Sequence, residues 1–245
     1  MSSFQIEREL WSSGFKYVAG VDEVGRGPIA GHLVTAALMF PACASPDVVE
    51  NLEIALRGVD DSKKLSSLKR VKLLYQIRRM ALTYSLNSVS PKEIDEMGIG
   101  KAVRRSMALS LMRLKVIPDY ILVDGNKTPM AEDFEYAYGL LMKKAEVSIR
   151  TPLTVNLKQI TNIRSQAIVK GDSISLSISA ASIVAKVTRD RMMSLSSIRF
   201  PDYGFERHKG YGTAVHLGQI ASLGATPIHR FSFSPLSNES LKFDE

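Results

Sequence analysis

The chain has one cysteine, one tryptophan and no apolar run of about 18 residues, the length that would cross a membrane. The single cysteine, Cys43, excludes an internal disulfide and a cysteine-based zinc site, and it is typical of a protein in a reducing cytosol. The first ten residues carry acidic side chains and lack the apolar core of a secretion signal. We therefore expect a cytoplasmic protein without a membrane partner.

Negative charge is also scarce relative to positive charge. The 245 residues contain 32 Lys and Arg against 25 Asp and Glu, which gives a net charge of +7 and a pI near 9.4. A basic balance favours an acidic partner, such as nucleic acid or an anionic membrane surface. The length allows one large domain or two small ones.

The stretch over residues 17–31 holds the most informative pattern in the chain. It predicts a buried strand that ends in two adjacent carboxylates, Asp22 and Glu23, followed by a Gly-Arg-Gly turn. The glycines of this turn, Gly25 and Gly27, let the backbone approach a ligand closely or adopt a positive φ. A carboxylate pair beside such a turn suits a site that holds hard metal ions against a nucleic-acid backbone.

Further acids follow two other predicted strands. Residues 120–124 and 167–172 each read as a short apolar strand with an aspartate at its carboxyl end, Asp124 and Asp172. If these strand ends lie together, four acids crowd into one pocket and need cations, for which all-oxygen ligation favours Mg²⁺ or Mn²⁺. Adjacent strand residues point to opposite faces, so Asp22 and Glu23 share a site only if the strand twists or ends there.

The order of predicted elements indicates an α/β fold. Strands over 16–22, 33–40 and 82–89 come first, and the strands over 120–124 and 167–172 are then separated by helices. This order predicts a mixed sheet with helices on its faces.

Helix signals lie between and after these strands. Residues 66–80 form a predicted helix capped by Ser66, and Ser90 begins another with a capping box. Residues 175–193 and 214–223 are also predicted helices, whereas residues 41–60 are predicted to form a loop.

Seven blocks, in one order along most of the chain, resemble ribonuclease HII. They are Gly20-Val-Asp-Glu-Val-Gly-Arg-Gly-Pro28, Asp61-Ser-Lys-Lys-Leu-Ser66, Leu122-Val-Asp-Gly-Asn126, Val169-Lys-Gly-Asp172, Ser179-Ala-Ala-Ser-Ile-Val-Ala-Lys-Val-Thr-Arg-Asp190, His208-Lys-Gly-Tyr-Gly-Thr213 and Pro227-Ile-His-Arg230. One block alone would be weak evidence, but the ordered set is specific.

The resemblance implies a ribonuclease-H-like mixed sheet flanked by helices, with a helical C-terminal extension. The catalytic domain would cover residues 1–200, with an insertion at about 127–165, and the substrate-binding extension would cover 201–245 on the same domain. The implied enzyme is an endoribonuclease that cuts the RNA strand of RNA–DNA hybrids and nicks at ribonucleotides embedded in duplex DNA. It would leave a 5′-phosphate and a 3′-hydroxyl and serve DNA repair and replication.

The resemblance also implies residue roles. Four carboxylates would be catalytic and would bind Mn²⁺ or Mg²⁺: Asp22, Glu23, Asp124 and Asp172. The 2′-hydroxyl, which distinguishes RNA from DNA, would be recognised by Gly25, Arg26, Gly27 and Tyr211. The phosphate contacts would be Ser62, Lys63 and Lys186.

We expect several other residues to have structural roles. We expect Asp190 to pair with Arg189 or Arg191, and the three histidines His208, His216 and His229 to be structural. In the insertion, an amphipathic helix is predicted from residues 130 to 141 and a strand over 154–160. Whether the insertion is a lid, an interaction surface or decoration is open.

Two other functions are compatible with single motifs. Residues 25–30, Gly-Arg-Gly-Pro-Ile-Ala, match the dinucleotide fingerprint of oxidoreductases, but a β-like segment follows where a helix should begin. A protein that binds hybrids without cutting them is the second alternative, and the presence of all four acids argues against it.

Overall fold

A computed structural model describes residues 2–42, 46–147 and 157–237. Its central sheet has five strands in the order β3-β2-β1-β4-β5. They are β1 (Val18–Val24), β2 (Leu33–Met39), β3 (Thr83–Val89), β4 (Tyr120–Asp124) and β5 (Arg164–Ile168). The β1–β2 and β2–β3 pairs are antiparallel, and the β1–β4 and β4–β5 pairs are parallel. The predicted mixed sheet is confirmed, and the carboxyl ends of β1, β4 and β5 lie at one edge.

Helices connect and cover these strands. They are α1 (Gln5–Ser12), α2 (Pro46–Ala55), α3 (Ser67–Met80), α4 (Pro91–Met97), α5 (Ile99–Met112), α6 (Ala131–Val147), α7 (Leu157–Thr161), α8 (Leu176–Arg199), α9 (Phe205–His208) and α10 (Ala214–Leu223). The predicted Ser66 cap and the Ser90–Glu93 capping box both form. No described helix has the length and hydropathy needed to span a bilayer.

Each face of the sheet has its own hydrophobic core. On one face, Val21 and Val123 pack with α5 and α6. On the other face, Val34 and Leu38 pack with α2, α3 and α8. This division follows from strand geometry, because successive side chains alternate between faces.

Helix α8 lies very close to β1. A Cβ added to Gly20 would lie 2.3 Å from the carbonyl carbon of Ser177, so only glycine permits this approach. The residues that face the sheet along α8 are small and buried, as predicted: Ala180, Ala181, Ser182 and Ala185. The helix continues to Arg199, six residues beyond the predicted end at Met193.

Two local predictions are wrong. The loop predicted over 41–60 contains helix α2, whose Val49 and Leu52 are buried three residues apart, and Leu56, in the turn that follows the helix, is buried as well. The strand predicted over 154–160 is helix α7 from Leu157 onward, and residues 154–156 lie outside the described residues, as does Cys43.

The amphipathic helix predicted after residue 130 is confirmed as α6. Phe134 and Ala137 are buried in the first core, and Asp133 forms an ion pair of 2.9 Å with Arg104 of α5. This helix is therefore an integral part of the layer that covers the sheet.

The segment after residue 200 packs against the glycine turn that follows β1. Ile29 and Ala30 share a hydrophobic cluster with Tyr203 and Phe205. The Ile29 N–H also donates a hydrogen bond of 2.9 Å to the carbonyl of Gly210. The C-terminal segment is thereby held beside the site-bearing edge of the sheet, and the division at residue 200 stays a prediction.

Candidate active site

Three aspartates converge at the carboxyl edge of the sheet. Asp22, Asp124 and Asp172 each offer a carboxylate oxygen, and these oxygens all lie within 4.8 Å of one another. Strand register accounts for the first two, because Val21 pairs with Val123 in the parallel β1–β4 ladder. Asp22 and Asp124 are therefore neighbours that point to the same face, toward α8.

Asp172 reaches the group from a different kind of element. The predicted strand over 167–172 is wrong at its end, because β5 stops at Ile168 and Asp172 lies in a 3₁₀ turn, Gly171–Ser173. The Asp172 N–H donates to Asp124 Oδ1 at 3.3 Å. A Cβ on Gly171 would lie 3.3 Å from the same oxygen, so the glycine permits the close approach of this turn.

Glu23 lies beside this group rather than in it. Strand alternation points it to the face opposite Asp22, and it is not among the three carboxylates whose oxygens meet. Burial first, and then the charge of Asp124, nevertheless raise the pKa of Glu23 from 4.5 to about 7. Its interaction with Asp124 shows that Glu23 belongs to the same electrostatic site, at its margin.

The acids of this site are poorly neutralised by the protein. Burial, and then the charges of Glu23 and Asp124, raise the pKa of Asp22 well above its ordinary value. Burial and Asp124 also raise the pKa of Asp172. Lys63 lies 3.6 Å from Asp172, and Arg26 lies 3.8 Å from Glu23. Both basic side chains are largely exposed, so they offset little of the negative charge of the acids.

This surplus of negative charge fits divalent cations. The three oxygen ligands are hard donors, and the described residues place no histidine or cysteine among them. Such a set matches Mg²⁺ or Mn²⁺ better than zinc.

A family model described as Ribonuclease HII matches residues 19–235. The chain belongs to the ribonuclease HII family. It is therefore a metal-dependent nuclease, an endoribonuclease that acts on RNA–DNA hybrids, as its sequence predicted. The alternative of a hybrid-binding protein without catalysis is wrong.

Curated relatives and solved structures agree with this assignment. Ribonuclease HII of Ruminiclostridium cellulolyticum is 40% identical over 227 residues, covering 93% of this chain and 73% of that protein. That of Listeria monocytogenes is 37% identical over 240 residues, covering 98% and 76%. The crystal structure of ribonuclease H2 from Pyrococcus horikoshii matches with a TM-score of 0.64 at 27% identity, covering 90% of this chain and 95% of that chain. These matches confirm the ribonuclease-H-like fold.

The glycine turn of this ribonuclease HII chain leads directly into a strand. Residues 25–32 form bends and an isolated bridge, and β2 begins at Leu33, so no helix follows the turn. A dinucleotide site needs a helix N-terminus at that point. The oxidoreductase interpretation of this motif is therefore wrong.

The two glycines of the turn meet different surroundings. Gly25 has a φ of +101°, and an added Cβ would lie 2.3 Å from Arg189 Nε and 2.8 Å from the His32 carbonyl. A Cβ on Gly27 would meet only the ring of Tyr211, at 3.9 Å. Tyr211 itself is 48% exposed. The structure therefore places an exposed aromatic ring alongside the turn that follows β1.

We expect Gly25→Ala to lower the free energy of unfolding by about 2 kcal/mol, because it combines positive-φ strain with a clash. Gly27→Ala is the matched control and should change stability by less than about 0.5 kcal/mol, since its Cβ makes an ordinary contact. Urea unfolding of both variants measures the difference. Equal losses of stability would contradict the assigned geometry.

The predicted phosphate contacts lie in different settings. Lys63 is exposed beside Asp172. Ser62 is buried, and its hydroxyl lies 2.9 Å from that of Ser182, which in turn hydrogen-bonds Asp22. Of these contacts, only Lys63 presents an exposed charge next to the three aspartates.

The expected pairing of Asp190 with Arg189 or Arg191 is wrong. Asp190 instead binds Lys186 at 2.7 Å and Arg70 at 3.2 Å. Helix geometry explains this, because residues four apart share a face and adjacent residues do not. The ammonium group of Lys186, a predicted phosphate contact, is held by this ion pair.

The three histidines pack together around Phe205. His208 stacks on His216 at 4.1 Å, and His216 Nε2 lies 3.1 Å from His229 Nε2. Burial lowers the pKa of both His216 and His229 to about 4, so both are neutral at neutral pH. His216 Nδ1 lies 2.9 Å from the carbonyl of Tyr211, which fits the structural role predicted for these side chains.

Sequence reasoning missed three residues near the site. Ser182 links Asp22 to Ser62, and two wholly buried arginines, Arg189 and Arg230, bind the backbone of the glycine turn. All three lie inside the blocks that carry the family resemblance, which was the available signal. Nothing in the sequence indicated which atoms they contact.

Proposed function

We propose that this ribonuclease HII chain also nicks at single ribonucleotides embedded in duplex DNA. The observation that carries the proposal is the exposed ring of Tyr211 beside Gly27, in the turn that directly follows the strand bearing Asp22 and Glu23. A site that senses one ribose needs a 2′-hydroxyl contact at the scissile position only, and it does not need a long RNA strand.

The proposed catalytic residues are four carboxylates: Asp22, Glu23, Asp124 and Asp172. In this proposal the three clustered aspartates form the inner metal ligands, and Glu23 completes the site from its margin. A pair of Mg²⁺ or Mn²⁺ ions would supply an activated water and stabilise the leaving 3′ oxygen. The carboxylates would hold these ions, whose positive charge would bind the scissile phosphate in line with the water. The products would carry a 5′-phosphate and a 3′-hydroxyl.

Ribose recognition is proposed for the backbone of Gly25, Arg26 and Gly27 together with the phenol of Tyr211. The phenol can hydrogen-bond and its ring can stack on a sugar. Lys63 is the proposed principal phosphate contact, because its side chain is 78% exposed and adjoins Asp172. Ser62 hydrogen-bonds Ser182, which in turn supports Asp22. Lys186 would contact a phosphate only after breaking its ion pair with Asp190.

The remaining proposals concern context. Residues 201–245 act as a substrate-binding extension, because its described part carries Tyr211 to the glycine turn. The enzyme works in the cytoplasm, where it removes ribonucleotides during DNA repair and replication.

A panel of matched duplexes tests the proposed activity. The full chain is incubated in Mg²⁺ or Mn²⁺ with an RNA–DNA hybrid, an all-DNA duplex and a DNA duplex with one ribonucleotide, and the product ends are analysed. The expected result is cutting of the hybrid, one nick at the lone ribonucleotide that leaves a 5′-phosphate and a 3′-hydroxyl, and no cutting of the all-DNA duplex. Cutting of the hybrid without a nick at the lone ribonucleotide would overturn the proposal.

A further inference from the structure

Two arginines beneath the glycine turn are completely buried. Arg189 of α8 and Arg230 each have 0% exposure, and within the described residues neither forms an ion pair with a carboxylate. A buried charge is costly unless hydrogen bonds satisfy it. Burial and the charge of Arg189 lower the pKa of Arg230 only to about 9, so it stays charged at neutral pH. The backbone carbonyls that accept hydrogen bonds from these two guanidinium groups therefore offset the cost of burying them.

Arg230 binds both ends of the turn. Its Nη2 donates to the carbonyls of Gly25 at 2.6 Å and Gly31 at 2.8 Å. Its Nη1 donates to the carbonyl of Arg26 at 3.2 Å. The ring of Phe233 covers the guanidinium at 5.1 Å.

Arg189 connects the turn to the segment that carries Tyr211. Its Nε and Nη2 donate to the carbonyls of His32 at 2.8 Å and Ala30 at 3.1 Å. Its Nη1 donates to the carbonyl of Lys209, two residues before Tyr211, at 2.9 Å. One planar group therefore fixes the distance between the turn and the tyrosine.

The carbonyl contacts of Arg230 set the direction of two amide groups. In a planar trans peptide the C=O and the N–H point in opposite directions. Because Arg230 holds the carbonyls of Gly25 and Arg26, the N–H groups of Arg26 and Gly27 point away from it. In the described part of the chain neither N–H has a protein acceptor. Both donors are thus aimed and free for a ligand oxygen.

We propose that Arg230 and Arg189 are positioning residues that give the enzyme its preference for ribose over deoxyribose. Arg230 orients the amides of the turn, and Arg189 fixes the turn against Tyr211. The inference rests on the proposed ribose-reading role of this turn. Lysine cannot replace either residue, because an ammonium group lacks the planar fork that binds several carbonyls at once.

Binding measurements on two duplexes test this inference. The duplexes differ by one 2′-hydroxyl, and the full chain is titrated with each in Ca²⁺, with fluorescence anisotropy as the readout. We expect the wild type to bind the ribonucleotide duplex at least about tenfold more tightly, the value of one hydrogen bond. Arg230→Lys should reduce this ratio to about one and leave the Kd for the all-DNA duplex within about threefold.

Arg113→Lys is the matched control. Arg113 is a partly buried arginine that also donates to a carbonyl, that of Leu86, on β3 at the far side of the sheet. The Arg113→Lys variant should keep the wild-type ratio of the Kd values for the two duplexes. Thermal melting confirms that each variant is folded at the assay temperature. If Arg230→Lys is unfolded, Arg189→Lys takes its place, and we expect it to lose the preference for the ribonucleotide duplex in the same way.

The outcomes are distinguishable. A folded Arg230→Lys or Arg189→Lys variant with the wild-type ratio overturns the positioning role alone. A wild type without preference for the ribonucleotide duplex overturns the ribose-reading turn itself, and the positioning role with it. An equal loss of affinity for both duplexes would also contradict the inference, because it indicates general damage to the binding surface.

Discussion

Asp124→Asn is expected to lower the rate of hybrid cleavage by at least about 1,000-fold. Asp124 is central to the site, because its charge raises the pKa of Asp22, Glu23 and Asp172. Asparagine has nearly the same shape but carries no charge, so the variant weakens the binding of divalent ions without disturbing β4. Single-turnover cleavage in Mg²⁺ measures the loss.

Asp47→Asn is the matched control for this substitution. Asp47 is an exposed aspartate in the first turn of α2 and is not one of the three clustered carboxylates. It removes the same charge from the chain, so both variants share any effect of net charge on nucleic-acid binding. Similar activities of the two variants would mean that Asp124 has no catalytic role.

Asp22→Asn is expected to stabilise the metal-free protein while abolishing cleavage. Asp22 is 4% exposed, and burial and two neighbouring acids raise its pKa. Ionisation of this carboxyl is therefore costlier in the folded protein than in the unfolded chain, which opposes folding at neutral pH. Its neutral isostere should raise the unfolding free energy by about 1 kcal/mol, or Tm by about 3 °C for a chain of this size. Thermal melts in EDTA at pH 7 measure the change.

The raised pKa values of these acids also predict how the stability of the metal-free protein changes with pH. A carboxyl whose pKa is higher in the folded state binds more protons there, so stability is highest at low pH and falls as pH rises. For Glu23, whose pKa is raised from 4.5 to about 7, this loss of stability occurs as the pH rises between those two values. Metal-free wild type should lose about 3 kcal/mol across this range, and Asp22→Asn should lose less because one repelling charge is gone.

Added Mn²⁺ gives the complementary control. It should raise the Tm of the wild type at pH 7, because it binds the folded carboxylates, and raise that of Asp22→Asn much less. A metal-free Asp22→Asn variant that is less stable than the wild type would show that the acids do not oppose folding.

The sheet and the acids could be predicted because local sequence carries them. β1, β2, β3 and β4 show apolar or alternating runs that end in turn residues, and the capping residues Ser66 and Ser90 mark helix starts. Helix α2 was missed because Pro46 and the acidic residues around its buried Val49 and Leu52 are typical of a loop.

The inner geometry of the site could not be predicted in the same way. The β1 pattern placed Asp22 and Glu23 side by side, and only the strand register showed that Asp22 joins Asp124 while Glu23 faces the other side. The position of Asp172 depends on a 3₁₀ turn after β5, and the contacts of Arg230 span 205 residues of sequence. Such long-range contacts leave no local periodicity.

The dependence of lone-ribonucleotide nicking on Mg²⁺ concentration tests the central claim most directly. The claim is that clustered carboxylates hold paired cations that cut beside a recognised ribose. It predicts no nicking in EDTA and, at low Mg²⁺, a rate that rises more steeply than in direct proportion to the ion concentration. Nicking by the purified chain in EDTA, at the rate seen in Mg²⁺, would contradict it.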